Sequence, residues 1–235
     1  LILCKECIKD AQQYVHEFLD TIIDKNLGCI KNIVTPDDQT PLFNGGKQIN
    51  LAKFNKFLND FNYKSKDKKN IVGGIYLSSI KNNAIFFDVG EPPGKGFSTR
   101  YQSGPLSFEY YLDGNKIITN CGFGSNISPK AELLSRLTSA QSTLTLNDTS
   151  VTKFERNKII NKIFGNSIRN TFKVNNQNCV EDKDQIKFIA SHSGYEKKFG
   201  CIHKREVSIE KKTGKLIGLD EIIKDKDGKP VNYSF

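Results

Sequence analysis

One short stretch of the sequence places two side chains capable of chemistry on the same predicted face. In a strand that begins at Cys201, successive side chains point to opposite faces of the sheet. His203 and Arg205 then share a face with two apolar residues, Val207 and Ile209. An imidazole and a guanidinium that face a core must be hydrogen-bonded. We therefore predict a buried polar network here, and a ligand-facing pair is the alternative.

The other two histidines give less evidence of a functional site. His16 falls within the first predicted helix, and His192 falls in a predicted turn between strands. Neither can be matched from the sequence with a serine, cysteine or carboxylate, so no catalytic triad is indicated. Residues 90–96 contain three glycines, but they lack the spacing of a phosphate-binding loop. We predict a stiff surface loop there.

The cysteines do not form a recognisable metal site. Cys4 and Cys7 make a C-x-x-C pair, but the sequence has no second pair and no nearby histidine cluster to complete a zinc site. Helical spacing places both on one apolar face. No cofactor is indicated.

The charge balance is basic. There are 35 Lys and Arg residues against 26 Asp and Glu, a formal net charge of +9, and only five of the cations are Arg. Nucleic-acid modules concentrate Arg and aromatic residues on one surface, so this scattered, Lys-rich pattern argues against nucleic-acid binding. Attraction to an acidic polymer remains open. No apolar run approaches the roughly 20 residues of a membrane span.

Residues 1–62 are predicted to be helical. One apolar stripe runs over residues 8–22, with Gly28 as its stop, and a second runs over residues 51–61, with Asn50 as a plausible N-cap. Two short amphipathic helices cannot bury their stripes alone. We expect them to be the last hairpin of a larger helical domain, and both ends of the chain suggest a fragment.

A charged linker is predicted at residues 63–70, and beyond it the apolar period changes from about 3.6 to 2. Strands are predicted over residues 71–77, 84–89, 106–112, 116–120, 142–146, 186–190, Cys201–Glu210 and 216–219. In residues 106–112 only one face is expected to be buried. Asp113-Gly114 predicts a hairpin, and a turn at residues 212–215 joins the last two strands. Two short helices are predicted over residues 130–137 and 153–164. Many short strands with regular turns indicate an antiparallel sandwich or barrel.

Several motifs, taken as a set and in order, resemble the heparinase II/III-like family over most of residues 40–220. They are Asn44-Gly45-Gly46, Gly104-Pro-Leu-Ser-Phe-Glu109, Asp113-Gly-Asn-Lys-Ile-Ile-Thr-Asn-Cys-Gly122, Ala140-Gln-Ser-Thr-Leu-Thr-Leu146, Gly194-Tyr195, Phe199-Gly200 and His203-Lys-Arg205. The resemblance implies a mainly β fold, an antiparallel β-sandwich preceded by a short helical segment left over from an α/α toroid. Residues 1–62 would end the toroid, and residues 71–235 would form a sandwich truncated at its C-terminus.

The resemblance also implies an activity, because characterised members are polysaccharide lyases. They abstract the proton next to a uronate carboxyl and eliminate the 4-linked sugar, which requires a neutralised carboxylate, a general base and a general acid. In the family, the Tyr and one His for these tasks come mainly from the toroid. The catalytic residues of this chain are therefore left unassigned. The implied partners are an acidic polysaccharide and an upstream helical domain of the same protein.

The sequence departs from the family where the sandwich contributes to the site. The family motif His-x-His-x-Asp is replaced by Arg100, Gln102 and Gly104, the later Asp by Asn120, and the third His by Gln141. Lyases of this family hold zinc with the second His, that Asp and the third His. Three carboxamides are poor zinc ligands, so we expect Gln102, Asn120 and Gln141 to lie close together in a polar network that holds no metal.

The resemblance and the alternation together give four candidate substrate-binding residues: Arg100, Gln102, His203 and Arg205. The alternative function is a non-catalytic carbohydrate-binding or cell-envelope protein that keeps the scaffold without the lyase chemistry, and a purely structural sandwich is a third option. The family suggests a periplasmic or cell-envelope location.

Overall fold

Three helices precede a sandwich of antiparallel β-sheets. The computed structural model of the chain describes residues 1–47, 49, 51–64, 71–224 and 232–234. The helices are α1 (Ile2–Asp10), α2 (Phe18–Asn32), α3 (Leu51–Asp60), α4 (Pro129–Leu134), α5 (Lys158–Phe164) and α6 (Glu196–Phe199). The strands are β1 (Ile71–Val72), β2 (Ile75–Ile80), β3 (Asn83–Asp88), β4 (Phe108–Leu112), β5 (Asn115–Ile118), β6 (Thr145–Leu146), β7 (Val174–Glu181), β8 (Gln185–His192), β9 (Cys201–Glu210), β10 (Leu216–Lys224) and β11 (Tyr233–Ser234).

The first helical region differs from its prediction. A single stripe over residues 8–22 is wrong, because the chain turns between α1 and α2 at residues 11–17. The buried face of α2 is instead formed by Leu19, Ile23 and Leu27, which are four residues apart. His16 consequently lies in an exposed turn rather than in a helix.

Gly28 does not end the helix as predicted. It is buried within α2, which continues to Asn32, and the Asn32 side chain donates to the Gly28 carbonyl oxygen at 2.8 Å. Glycine costs a helix only about 1 kcal/mol relative to alanine, and the packing of the neighbouring Leu27 outweighs that preference. The predicted N-cap Asn50 of α3 and residues 65–70 of the predicted linker lie outside the described residues.

The sheets confirm the prediction of an antiparallel sandwich. One sheet has the strand order β1-β2-β3-β4-β5, the other has the order β10-β9-β8-β7, and β11 pairs with β6 in a small third sheet. Every described strand pair is antiparallel. The main core includes Phe87, Leu106, Leu144, Phe188 and Val207, each at most 1% exposed.

The two predicted turns are confirmed. Asp113 and Gly114 both have positive φ, 50° and 81°, which is the requirement of a type I′ hairpin turn between β4 and β5. Gly214 has a φ of 71° in the turn that joins β9 to β10.

Strand β4 is buried on both faces, and the prediction of a single buried face is therefore wrong. Its second face packs in a smaller cluster in which Tyr111 and Phe86 meet Phe43, a residue from the loop between α2 and α3. The sequence pattern of β4 cannot show this, because the covering residue lies more than sixty positions away.

Other strands and helices differ in extent. Only Thr145–Leu146 of the predicted strand 142–146 pairs as a strand, because the Ser142 hydroxyl takes both backbone bonds of Phe108 instead. Strand β7 was not predicted, since it is rich in Asn and only Val174 in it is buried. His192 is the last residue of β8, not part of a turn. The two predicted sandwich helices form, but as the shorter α4 and α5.

Candidate functional site

Strand β9 directs His203 and Arg205 into the sandwich, as its alternation predicts. Every second residue from Cys201 to Ile209 is buried. His203 is 0% exposed and Arg205 is 4% exposed. The prediction that both side chains face the interior is confirmed.

A second imidazole joins this pair. His192 lies opposite His203 on the neighbouring strand. The amide of Gly194 donates to His192 Nδ1 at 3.1 Å, so the proton of a neutral His192 must be on Nε2. His192 Nε2 then donates to His203 Nδ1 at 3.1 Å, and His203 Nε2 donates to Asp220. The two imidazoles form a directed chain of hydrogen bonds that ends on a carboxylate.

Arg205 forms a bidentate ion pair with Asp220. Arg205 Nε lies 2.8 Å from Asp220 Oδ1, and Nη2 lies 3.0 Å from Oδ2. Arg205 Nη1 donates to the carbonyl oxygens of Leu106 and Ser142 at 2.8 and 2.7 Å. The guanidinium therefore ties β9 to β10 and to two loops. Asp220 was missed from the sequence because the predicted strand 216–219 ended just before it, whereas β10 continues to Lys224.

Burial sets the protonation of this network. It lowers the pKa of His192 well below its usual value, and the positive charge of Arg205 adds to that effect. It also lowers the pKa of His203, against the opposing effect of Asp220. Burial alone would raise the pKa of Asp220, but the hydrogen bonds from His203 and Arg205 together lower it. The network therefore holds one ion pair and two neutral imidazoles at neutral pH.

A cavity of about 720 Å³ opens beside the network. Arg205 and Asp220 form its polar wall, and apolar residues such as Phe108 and Leu219 form much of the rest. Arg205 uses four of its five N–H groups within the protein, and His203 does not line the cavity. A substrate-binding role for these two residues stays a prediction.

Residues 98–103, which carry the other two candidates, are held by a buried guanidinium. Arg136 is 0% exposed, and the ring of Phe154 lies 4.3 Å from its Cζ atom. Burial lowers the pKa of Arg136 to about 10. Its side chain donates to the backbone carbonyl oxygens of Ser98, Tyr101 and Asn166, at 2.8, 2.9 and 2.6 Å. No signal in the sequence distinguishes this arginine from an exposed one.

Arg100 lies where the helical part meets the sandwich. It is exposed and forms no ion pair among the described residues. A Cβ atom added at Gly45 would lie 2.7 Å from Arg100 Cβ, and Gly45 has a φ of 84°, so this close approach requires glycine. The Gly45 amide donates to Gln102 Oε1 at 3.0 Å, and the Gln102 amide donates to Asn44 Oδ1 at 3.2 Å.

The structure brings Gln102 and Gln141 together. The Nε2 atoms of both donate to the carbonyl oxygen of Ser135, at 2.9 and 2.7 Å. Asn120 is one link away, because its Oδ1 accepts from the amide of Ser142, the residue that follows Gln141, at 3.0 Å. All three carboxamides are buried.

A zinc ion does not fit these residues. Zinc requires ligands that present lone pairs, whereas Gln102 and Gln141 direct N–H groups at their shared partner, and the Asn120 oxygen already accepts from the amide of Ser142. Within the described ranges, no three His, Cys, Asp or Glu side chains are grouped so that they could hold a metal ion.

Two buried carboxyl groups fix the loop before this junction. Glu109 Oε1 accepts from the amides of Leu42 and Asn120, both at 3.1 Å, and burial raises the pKa of Glu109 despite these donors. Asp88 accepts from the amide of Gly90 at 2.9 Å, and burial raises its pKa to about 7. The sequence did not mark Glu109, because it lies on the face of β4 that was expected to be exposed.

Comparison with known proteins identifies the family of this chain. The family described as heparinase II/III-like, C-terminal, matches residues 65–235. The chain therefore belongs to the heparinase II/III-like family and is related to polysaccharide lyases. No curated protein matches the sequence.

Solved structures agree with this assignment. Heparan sulfate lyase HepC from Pedobacter heparinus aligns with a TM-score of 0.62 and 17% identity, over 95% of this chain and 35% of that one. A heparinase III, the BT4657 gene product, aligns with a TM-score of 0.65 and 16% identity, over 92% and 34%. The chain spans about a third of the length of these structures. Their similarity shows the fold, a sandwich like the C-terminal one of heparinase III.

No helix in the described parts of the chain is both long and apolar enough to cross a bilayer.

The variant Arg205→Ala should lower the free energy of unfolding by about 1–3 kcal/mol, because it leaves buried partners without their donors. Denaturant unfolding of the two proteins measures the difference. The exposed Arg156→Ala is the matched control and should unfold like the wild type. An unchanged midpoint for Arg205→Ala would mean that the side chain is solvated.

The buried imidazoles should make stability fall as the pH drops below about 6.5, the pKa of an unfolded histidine. Because the folded pKa values of His192 and His203 are lowered, the unfolded state takes up protons that the folded state refuses. The raised pKa of Asp88 makes stability rise as the pH drops. The contribution of the imidazoles must therefore be measured by comparing variants. His192→Gln should flatten the fall between pH 7 and 5 in urea unfolding.

The matched control for that experiment is His16→Gln, which removes an exposed imidazole and should leave the fall in stability as it is in the wild type. Equal slopes for His192→Gln and the wild type would contradict the proton linkage.

Purified, chelator-treated protein should take up no stoichiometric zinc at the carboxamide cluster, because the cluster presents N–H groups where zinc needs lone pairs. Elemental analysis after zinc addition and dialysis measures the metal content. The triple variant Cys4→Ser/Cys7→Ser/Cys121→Ser removes the exposed thiols, which would otherwise compete for zinc. One zinc per chain that persists in this variant and is lost in Gln102→Ala would contradict the prediction.

Proposed function

We propose that this chain is the sandwich domain of a polysaccharide-lyase-related protein that acts on or binds an acidic, uronate-containing polysaccharide. One observation carries the proposal. Arg100 is an exposed guanidinium with no ion-pair partner in the described part of the chain, and it lies at the junction between the sandwich and the helical part. A guanidinium pairs with a carboxylate or a sulfate through two parallel hydrogen bonds.

The rigidity around Arg100 supports a recognition role. Arg136 holds the backbone on either side of Arg100 through Ser98 and Tyr101, and Gln102 bonds both to Gly45 and to the carbonyl of Ser135. These bonds fix the backbone that carries Arg100, so only its side chain has to be ordered on binding and more of the interaction energy remains as affinity.

The buried histidines and tyrosines in the described part of the sandwich are poorly suited to the elimination chemistry. His192 and His203 are both shielded from solvent and are held neutral by their surroundings. Burial raises the pKa of Tyr101 and of Tyr111, which moves these phenols away from acting as bases near neutral pH. The proposal therefore assigns to the sandwich the binding of the carboxylate, and to an upstream helical domain the general base and general acid.

Exposed apolar residues on the helical part support such an upstream domain. Leu1, Leu3, Phe18 and Ile22 are each at least 38% exposed, although residues of this kind usually pack against other helices. The helical part would then be the end of an α/α toroid, with residues 63–70 as the linker to the sandwich.

Binding without elimination is the second candidate function. The carboxamides in place of the metal-binding set favour it, because a chain that has lost those ligands has lost one part of its relatives' site. In this case Arg100 would bind the polysaccharide, and no bond would be cleaved.

The 235-residue chain should bind heparan sulfate yet generate no unsaturated uronate, since both histidines in the described part of its sandwich are buried and held neutral. Ultraviolet absorbance follows the product, and retention on immobilised heparin follows binding. Arg100→Ala should weaken binding by about three- to tenfold, the loss of one charge-assisted contact, and Arg156→Ala serves as the control. Sustained product formation by this chain alone would contradict the division of roles.

A further inference from the structure

A second cationic site lies away from Arg100. A cavity of about 250 Å³ forms between the loop after β6, the segment at residues 169–170 and helix α6. We call it the basic cleft, and its cationic lining residues are Lys153, Arg169, Lys197 and Lys198. No carboxylate lines it.

Hydrogen bonds to backbone groups hold the wall of the basic cleft in place. Asn170 accepts from the amide of Lys153 at 2.6 Å and donates to the carbonyl of Val151 at 3.0 Å. The Arg169 amide donates to the Lys153 carbonyl at 2.7 Å. These bonds hold Lys153 and Arg169 side by side on neighbouring segments.

The charges of the basic cleft are poorly neutralised. Lys153, Arg169 and Lys197 form no ion pair among the described residues. Lys198 Nζ donates to a neutral group, the Thr149 hydroxyl, at 2.7 Å. Glu155 is a charged carboxylate near Arg169, but its ion pair is with Lys95, at 3.6 Å, and it does not line the cleft. Like charges gathered with few counter-charges repel one another, and an anionic ligand relieves that repulsion.

We infer that the basic cleft is a second binding site for the sulfate or carboxylate groups of an acidic polysaccharide. This inference rests on the proposed function and extends it to a surface separate from the helical junction. A row of hydrogen-bonded hydroxyls lies between the basic cleft and Gln102: Ser150 contacts Thr138 at 3.1 Å, and Thr138 contacts Ser103, the residue after Gln102, at 3.0 Å. Thr138 and Ser103 are fully buried, so the protein interior separates the basic cleft from Gln102.

The lining favours a polysaccharide over other anions. A single-stranded nucleic acid would need aromatic faces for its bases, but the one aromatic residue of the cleft, Tyr195, is 1% exposed and its hydroxyl donates to the Leu144 carbonyl at 3.0 Å. A single small anion gains little from exposed, hydrated amines. A polyanion contacts several of them at once and releases its counterions, so its binding is stronger and depends on salt.

The experiment compares two triple variants of the full 235-residue chain that each lose three positive charges. The cleft variant is Lys153→Gln/Arg169→Gln/Lys197→Gln, and the control is Lys130→Gln/Lys212→Gln/Lys215→Gln, three exposed lysines elsewhere on the sandwich. Affinity for a size-defined heparin oligosaccharide is measured by calorimetry over a range of salt concentrations. Circular dichroism verifies that both variants are folded.

The cleft variant should bind the oligosaccharide roughly tenfold more weakly than the wild type. The slope of log K against log salt should be less steep by about two to three, because three cations are lost. The affinity of the control should change by less than about twofold. Equal losses in the two variants would overturn the inference in favour of general charge attraction. Loss of binding in Arg100→Ala with no change in the cleft variant would also overturn it, while the proposed function would stand.

Two further arms identify the occupant. A single-stranded oligonucleotide of equal charge should bind more weakly than the oligosaccharide, and tighter binding that the cleft variant abolishes would make the ligand a nucleic acid and overturn the inference. Inorganic sulfate at equal ionic strength should compete no better than chloride, and full competition by sulfate would overturn the polymer as ligand. Absence of oligosaccharide binding by the wild type and by Arg100→Ala alike would remove the proposed function and this inference together.

Discussion

The ion pair between Arg205 and Asp220 is the interaction on which the interior of the sandwich depends. A charge that leaves water must recover its lost solvation from partners inside the protein. Arg205 does so by bonding to Asp220 and to two loop carbonyls, and Asp220 does so by accepting from His203 as well. Strands β8, β9 and β10 and the loops at residues 106 and 142 are thereby held in one arrangement.

Buried polar side chains that bond to distant backbone also hold the junction that carries Arg100. Three buried polar side chains there bond to the backbone of a distant segment: Arg136 bonds to residues 98–103, Glu109 to Leu42, and Gln102 to Gly45. A buried donor or acceptor without a partner costs about 1–3 kcal/mol, so these bonds fix the backbone that carries the exposed guanidinium. The carboxamides at Gln102 and Gln141 take part in this packing rather than presenting oxygens to a cation.

The two cationic surfaces divide the proposed recognition of a polyanion. Arg100 is a single guanidinium on a well-held stretch of backbone beside the helical part, suited to one defined carboxylate or sulfate. The basic cleft gathers several flexible amines and one further guanidinium, which suits a polymer with repeated charges and little geometric selectivity. A polymer that contacts Arg100 and the basic cleft at the same time binds with higher overall affinity than either site gives alone, without a new kind of interaction.

The sequence by itself determined the sandwich, the hairpin at Asp113-Gly114, and the inward direction of His203 and Arg205. These features follow from local backbone preferences and from the period of two along a strand, which neighbouring residues carry. It could not show that α2 runs through Gly28, that β4 is covered on its second face, or that Asp220, Arg136 and Glu109 are buried partners. Nor could it assemble the basic cleft from segments around residues 150, 169 and 197. Only the tertiary structure decided these, because burial and charge depend on which distant segments meet.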